Sequence, residues 1–484
     1  MAIYALVALL LSCAPSSKPR LPPSSPFTDQ TSVTHGVAAG DVTSNSALVW
    51  FRTAGPVVAQ VEWRADSDFV AGPPPGSNSS EFGRSALLTT TKERDFTATA
   101  ALHGLKPDTL YRYRVLTANV GPKTDFHRIA DEVAAGRFTT APSHDASQPT
   151  RFLWSGDLGG QHRCRQGQAG YAIFDRMLHT RPEFAVLLGD LIYGDERCAS
   201  PPNAPGSGFR ATTLEQFRAK HRYQRGAPAL TRFLASVPVY AIWDDHEVRN
   251  NFSGSHDPLM PVGRQALLEY WPIRTPPEEP HRLYRKVKRG ADLELFILDT
   301  RQYRSRNAEP DGVSKTMLGA AQRDWLLDGL RRSTALWKVI ATSVPLSTPK
   351  AGTRLVPGND SWARAADGTG FHAELRAIVN VILAHRIRNV VWLAADVHFA
   401  QVNAYDPDLD GVVDFHEFIA GPLSAYYGTP VPPDSALGPT TLYSGGGFFN
   451  FGVMTVDRTA LRVEIIDETG TTRVVHTVAA QGRT

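Results

Sequence analysis

The chain has 484 residues, 42% of them hydrophobic and 20% charged, with 51 Lys and Arg against 48 Asp and Glu for a formal net charge of +3. Such a length holds two or three domains and a substantial core, and the composition excludes a disordered or fibrous chain. The near-neutral balance gives no basis for a strongly basic surface, so no specific nucleic-acid partner is expected.

The first residues, MAIYALVALLLSC, are apolar but too few to span a bilayer as a helix, and read as the core of a signal peptide over residues 1–13. The run ends in Leu10-Leu11-Ser12-Cys13, which resembles a bacterial lipobox. That likeness implies lipidation of Cys13, the alternative being a plain signal peptide with an incidental cysteine. The Pro- and Ser-rich stretch in residues 14–32 cannot pack a core and suits a tether. The expected location is therefore outside the cytoplasm: a secreted, periplasmic or outer-surface protein of a bacterium, held to a membrane only by the lipid. With Cys13 spent on that lipid, Cys164 and Cys198 remain as an even pair, open to two readings, one disulfide or two buried thiols.

Over residues 33–142 the strand-like runs SALVWFR, VVAQVEW, FTATAAL and YRYRVLT alternate with Gly, Pro, Asn and Asp turns, with no helical period. This predicts a β-sandwich. LKPDTLYRYRV and GRFTTAP are similar to the late strands of a fibronectin type III-like domain, with Tyr111 or Tyr113 placed to pin the corner. SHDASQPT reads as a linker, and a second domain runs over 150–484. There the apolar runs RFLWSGD, FAVLLGD, VPVYAIWDD, LELFILDT, WKVIATSV and NVVWLAAD alternate with helix candidates such as GYAIFDRMLHT and GAAQRDWLLDGLRRS, which predicts an α/β domain. Several of these runs end on an acidic residue, and ligands of α/β sheets gather where strands finish.

Four ends carry donors: Asp157 in SGDLGG; Asp190 and Tyr193 in LLGDLIYGD; Asp244, Asp245, His246 and Asn250 in IWDDHEVRNN; and Asp396 and His398 in LAADVHF. Singly, each is an ordinary turn former, helix cap or core residue. Together they crowd carboxylates at one sheet edge, where they repel one another unless a cation neutralises them. Hydrolysis of a phosphate ester uses such a site: two cations roughly 3.5–4 Å apart activate water and stabilise the phosphoryl and leaving-group oxygens. Asp190 is placed to bridge them, and Tyr193 suits a ferric ion as a phenolate.

The ordered set of Asp157, GDxxY from Gly189 to Tyr193, DDHE from Asp244 to Glu247 and DVH from Asp396 to His398 resembles the calcineurin-like metallophosphoesterases, specifically their alkaline phosphatase D branch. THGVAAGDVTSNSALVWFR, LYRKVKRGADLELFILDTRQYR and TMLGAAQRDWLLDGL extend the likeness over nearly the whole chain. GDxxY is also the pattern of purple acid phosphatases. The resemblance implies a four-layer α/β/β/α catalytic sandwich behind the fibronectin type III-like one. It implies a binuclear-metal phosphomonoesterase or phosphodiesterase acting on small phosphate esters, phospholipid or nucleotide derivatives among them; a monomer is expected. Residue by residue, it implies a first metal, Fe(III), on Asp157, Asp190, Tyr193 and His398, and a second on Asp190, Asp245 and Asp396. His246 would bind the phosphate or protonate the leaving group, and Asn250 would be a further ligand or phosphate contact. Two positions depart from the pattern. Gly156-Asp157 stand where many alkaline phosphatase D relatives carry a cysteine, and WKVIATSVPL offers only Thr342 and Ser343 where purple acid phosphatases supply a histidine. With Asp245 and Asp396 replacing amide or imidazole donors, the second pocket is oxygen-rich and favours Ca²⁺, Mg²⁺ or Mn²⁺ over Zn²⁺.

Arg301 in LDTRQYR is a candidate phosphate clamp, with a salt bridge to Asp299 as the structural alternative. In DPDLDGVVDFHE, the residues Asp406, Asp408, Asp410, Gly411, Asp414 and Glu417 match an EF-hand calcium loop, although both flanks read as strands. An additional Ca²⁺ site, a plain acidic hairpin turn and service of Glu417 to the catalytic rim all stay open. SGGGFFNFG lacks the helix and lysine of a P-loop and is placed to close over the cleft with Asn450 facing inward, while MTVDRTALRVEIIDETG reads as a final strand pair. The competing function is a cell-surface, Ca²⁺-binding adhesion protein with a degenerate hydrolase domain, against which the complete run of ligands argues. No serine sits in a comparable acidic setting, which counts against a serine-nucleophile phosphatase.

Overall fold

The computed structural model describes residues 32–67, 82–119, 126, 130–350, 352, 354 and 356–482. The signal peptide, Cys13 and all of the tether but its last residue lie outside the described residues. No helix among the described residues is long and apolar enough to cross a membrane.

A mixed α/β fold is built on three sheets. At the centre of the largest lie three parallel strands, Thr150–Ser155, Phe184–Leu188 and Val239–Ile242. They are nearly continuous apolar runs because parallel strands are covered on both faces, and every residue from Phe184 to Leu188 is buried. The register sets Leu187 beside Ser155 and Leu188 beside Ile242. The three chains therefore leave the sheet at one level, into the turns that hold Asp157, Asp190 and Asp244–His246. On one side the sheet grows antiparallel through Asn450–Val456, Ala460–Asp467 and Thr472–Ala479, three strands where the sequence predicts a pair.

The second sheet has four parallel strands, Leu293–Ile297, Trp337–Ala341, Val390–Ala394 and Phe415–Ile419. They end in the turns carrying Arg301, Ser343, Asp396–His398 and Gly421. Alternation along each strand decides what it packs against. Val339, Leu295 and Leu393 join Trp154, Leu187 and Tyr240 of the first sheet in one continuous core. Phe296, Ile340 and Trp392 point the other way, onto Leu326 and Leu330 of the helix Gly319–Arg332 and Leu375 and Ile378 of the helix His372–Ala384. Each of these buried leucines contributes roughly 1.5–3 kcal/mol. The first sheet's strands meanwhile cover Phe174 and Met177 of Ile173–His179 and Phe233 and Leu234 of Pro228–Ser236.

Residues 33–142 supply strands to two sheets around Val49, Phe51, Val61 and Val115. Tyr111 rather than Tyr113 pins the turn: the Lys106 N–H donates to its hydroxyl at 2.9 Å. Val33–Gly40, Ser46–Thr53 and Thr97–His103 also continue the nine-stranded sheet beyond Val239–Ile242, joined where Gly40 pairs with Val239. The seam is filled by the Arg225 guanidinium, 3.7 Å over the Trp50 ring and 4.9 Å over Trp271. Asp95 reinforces it by binding Arg52, Arg222 and Tyr270. Cys164 and Cys198 are joined in a disulfide with Cα atoms 5.8 Å apart.

Candidate active site

The turns that follow the parallel strands bring donors from both sheets to one place. Asp157, Asp190, Asp396 and His398 all hold left-handed backbone, at φ 62°, 53°, 68° and 61°. Asp and His tolerate that region better than most residues, yet each instance costs on the order of 1–3 kcal/mol and such residues cluster at functional sites. Glu247 braces two of the turns. Its carboxylate accepts the N–H groups of Asp190 at 3.2 Å, Leu191 at 2.7 Å and Asp244 at 2.8 Å. Glycine is required where these turns touch side chains. A Cβ on Gly160 would lie 2.0 Å from the Tyr193 ring, and one on Gly421, at φ 146°, would lie 2.5 Å from Asp157 Oδ2.

Asp157, Asp190 and His398 each offer a donor atom, all within 4.8 Å of one another. The Tyr193 hydroxyl is 3.4 Å from His398 Nε2, which is 3.8 Å from Asp157 Oδ1. His398 Nδ1 is bonded to the Tyr426 carbonyl. Because a carbonyl only accepts, the proton sits on Nδ1 and the Nε2 lone pair faces the carboxylates. Burial lowers His398 to about 3, so the ring is neutral at ordinary pH. Burial, then Asp244, pushes Asp157 up to about 8, and burial with Asp245 and Asp244 raises Asp190 well above the carboxylate range. Burial, then Asp190, Asp157 and Asp245, raises Tyr193 well above its ordinary value. Asp157 Oδ2 is buried with no hydrogen-bond partner among the described residues. Two carboxyls and a phenol whose ionisation a positive charge would favour, beside the free lone pair of a neutral imidazole, are a donor set that fits a metal ion.

The second expected set, Asp190, Asp245 and Asp396, is split. Asp190 and Asp245 close with His246, whereas Asp245 and Asp396 close with Asp244. An arginine and a lysine also sit among these acids. Arg301, expected as a clamp in the cleft or as a partner of Asp299, is fully buried beneath the carboxylates because its turn folds under them. Its Nε is 2.6 Å from Asp244 Oδ1 and Nη1 is 2.9 Å from Asp360 Oδ2, while Nη2 is 3.7 Å from Asp396 Oδ1 and 3.9 Å from Asp245 Oδ1. From Arg301, Asp299 accepts the backbone N–H at 3.1 Å and not the guanidinium, and it also accepts Trp243 Nε1 at 2.8 Å and the Gln302 N–H at 3.0 Å. Lys350, which no motif announced, brings Nζ to 2.5 Å from Asp396 Oδ1 and 3.7 Å from Asp360 Oδ2. Against the effect of burial, Arg301 and Lys350 hold Asp245 and Asp360 below the usual carboxylate range. Ser343, where a histidine would be needed, donates to Asp244 Oδ1 at 2.5 Å.

His246 stacks on Tyr193 with ring centroids 4.2 Å apart and donates its backbone N–H to Asp190 at 3.0 Å. Its Nδ1 is 2.6 Å from Asp195 Oδ1. Burial alone would discharge the ring, but Asp195 and Asp245 outweigh it and push His246 up to about 10. Asp195 also accepts the Asn250 N–H at 2.9 Å, orienting both residues. It lies within the LLGDLIYGD run, where the GDxxY spacing marks Asp190 and Tyr193 and gives the last acid no role. His246, Asn250, Asp190, Asp396, His398 and Lys350 line one cavity of about 310 Å³, with Phe399, Tyr426 and Val431 forming an apolar wall.

The calcium-loop match does not close as an EF-hand. Asp406, Asp408 and Asp414 approach one another. Asp406, however, accepts the N–H groups of Asp410 and Gly411 at 3.1 and 2.9 Å, and Asp410 accepts that of Val412 at 2.8 Å. Glu417 is a buried residue of the strand Phe415–Ile419. It accepts from Leu346 N–H and the Tyr405 hydroxyl, both at 2.6 Å, and so serves neither the loop nor the cavity. A strand sends alternate side chains to opposite faces, which carries position 12 away from the turn. Asn450 is likewise buried rather than cleft-facing. It accepts the Gly421 N–H at 3.1 Å and donates to the Gly421 carbonyl at 2.6 Å, bracing the turn that lies against Asp157.

The model of the PhoD-like phosphatase family matches residues 153–441, and that of the PhoD-like phosphatase N-terminal domain matches residues 17–142. Alkaline phosphatase D of Bacillus subtilis (strain 168) is 28% identical over 409 residues, which cover 75% of this chain and 64% of that protein, just under two thirds of the relative's length. A structure of PhoD superposes with a TM-score of 0.73 at 21% identity, covering 95% of this chain and 94% of that one. Purple acid phosphatase PPD1 from yellow lupin (Lupinus luteus) seeds superposes with a TM-score of 0.62 at 14% identity, covering 93% and 74%. At those identities the two structures speak for the fold.

Proposed function

The chain belongs to the PhoD-like phosphatase family, and on that premise we propose that it hydrolyses phosphate esters outside the cytoplasm, using a metal ion held by Asp157, Asp190, Tyr193 and His398. The observation that carries this reading is the pair of buried acids Asp157 and Asp190 facing the bare nitrogen of His398, with Asp190 and His398 lining an open cavity. A bound ion would polarise a phosphoryl oxygen and acidify a water molecule, and the Tyr193 phenol favours Fe(III). His246, kept cationic by Asp195, is the group that protonates the leaving-group oxygen or binds the phosphate. Asn250 and Lys350, in the same wall, hold the phosphoryl oxygens. The facing sheets with helices on their outer sides support the four-layer architecture, and the two sheets of residues 33–142 support a fibronectin type III-like unit ahead of it. Action outside the cytoplasm is supported by the signal-peptide reading and by the Cys164–Cys198 disulfide.

Purified protein assayed with p-nitrophenyl phosphate and bis(p-nitrophenyl) phosphate tests the proposal. Asp190→Ala and His398→Ala should each lower kcat/KM by about 10²-fold or more, the scale on which loss of a transition-state charge stabiliser is felt. The wild type should also show a visible tyrosinate-to-iron band that Tyr193→Phe abolishes. Hydrolysis that survives both substitutions rules the reading out.

A further inference from the structure

We infer that the second cation position of this site is filled by the chain itself, by the Lys350 ammonium and the Arg301 guanidinium, so that the protein holds one metal ion tightly rather than two. The inference rests on the reading of the site as metal-dependent.

The acids divide into two groups with different partners. Among the described residues, no lysine or arginine nitrogen comes within 4.0 Å of the Asp157 or Asp190 carboxylates; the basic groups beside them are imidazoles, the neutral His398 facing both acids and His246 beside Asp190. Asp244, Asp245, Asp360 and Asp396 instead surround two nitrogenous cations. Arg301 binds Asp244 and Asp360 directly and stands 3.7 Å from Asp396 and 3.9 Å from Asp245. Lys350 contacts Asp396 at 2.5 Å and Asp360 at 3.7 Å. A divalent ion on Asp245 and Asp396 needs carboxylate oxygens at about 2.0–2.6 Å. One of those oxygens already carries the Lys350 ammonium, and Arg301 stands beside both acids, so the ion would have to enter against two like charges.

The two cations differ in what could displace them. Arg301 is fully buried and tied at two corners of its guanidinium, whereas the Lys350 side chain keeps 24% of its exposure at the cavity wall. Lys350 is thus the movable member. Its ammonium stands over the cavity where a second ion would meet the phosphoryl group, and it supplies a point charge there without a metal. Asp244 Oδ2, Asp245 Oδ1 and Asp396 Oδ2 keep no hydrogen-bond partner among the described residues. The pocket can therefore accept an ion once the lysine is removed.

The test is metal content by mass spectrometry of the full chain after gel filtration without chelator, with calorimetric titration of Mn²⁺ and Ca²⁺. Wild type and Lys350→Arg are expected to retain one ion per chain, and Lys350→Met and Lys350→Gln to take a second, at least tenfold more tightly than wild type. Thermal unfolding checks that the variants fold. Two tightly held ions in the wild type, or one in the wild type and still only one in both neutral variants, overturns the inference and leaves the phosphoesterase reading standing. No tightly held ion in any of the proteins overturns both.

Discussion

At the scale of single residues, His246 carries a proton that its burial opposes. Asp195 and Asp245 hold that proton in place, raising the ring to about 10. A histidine raised above its unfolded value near 6.5 stabilises the fold fully below that pH and loses the contribution as pH rises through about 10. An acid catalyst with this value keeps working into the alkaline range, and its rate should fall above about pH 10. Asp195→Asn removes the contact that positions the ring at 2.6 Å. The alkaline limb of kcat is then expected to move down by more than one pH unit, read from a pH–rate profile. A limb that stays put would mean His246 is not the proton donor. Asp190, Tyr193 and His398 were legible as candidate ligands because GDxxY and DVH tie their chemistry to short spacings. Asp360 and Lys350 were not, since neither stands in a pattern and only proximity gives them meaning.

At the scale of elements, a strand–turn unit has to deliver its side chains at a fixed height, and Glu247 does this for two units by accepting three backbone N–H groups. Glu247→Gln would turn an amide donor toward at least one of those N–H groups. The expected cost is about 1–3 kcal/mol, seen as a lower unfolding midpoint in denaturant, together with weaker metal binding because Asp190 loses its anchor. An unchanged midpoint would deny Glu247 that bracing role. The same scale explains the acidic DPDLDGVVDFHE run. Its first nine residues make a turn, but Glu417 belongs to the next strand, Phe415–Ile419, and the period of that strand overrides a match made by counting positions.

Across the whole molecule, the sandwich-like N-terminal region and the α/β region that carries the candidate site share a sheet. The strand Val33–Gly40 covers the edge left by Val239–Ile242, and Arg225 lies between Trp50 and Trp271 across the seam. An exposed strand edge beside uncovered aromatic surface promotes association. Removing residues 1–142 should therefore yield a fragment that elutes from gel filtration as aggregate or fails to stay soluble. A monomeric, active 143–484 fragment would contradict this.

The sequence alone settled the matters that repeat over a few residues. These are the alternating runs of 33–142, the buried strands that end in Asp157, Asp190 and Asp396, and the helix Gly319–Arg332. Backbone periodicity and turn chemistry are local, and a short window contains them. The charge balance of the site was decided only in three dimensions. Arg301 reaches Asp244 across 57 residues and Lys350 reaches Asp396 across 46. Electrostatic pairing depends on distance through space, and no pattern along the chain records which cation folds under which acid.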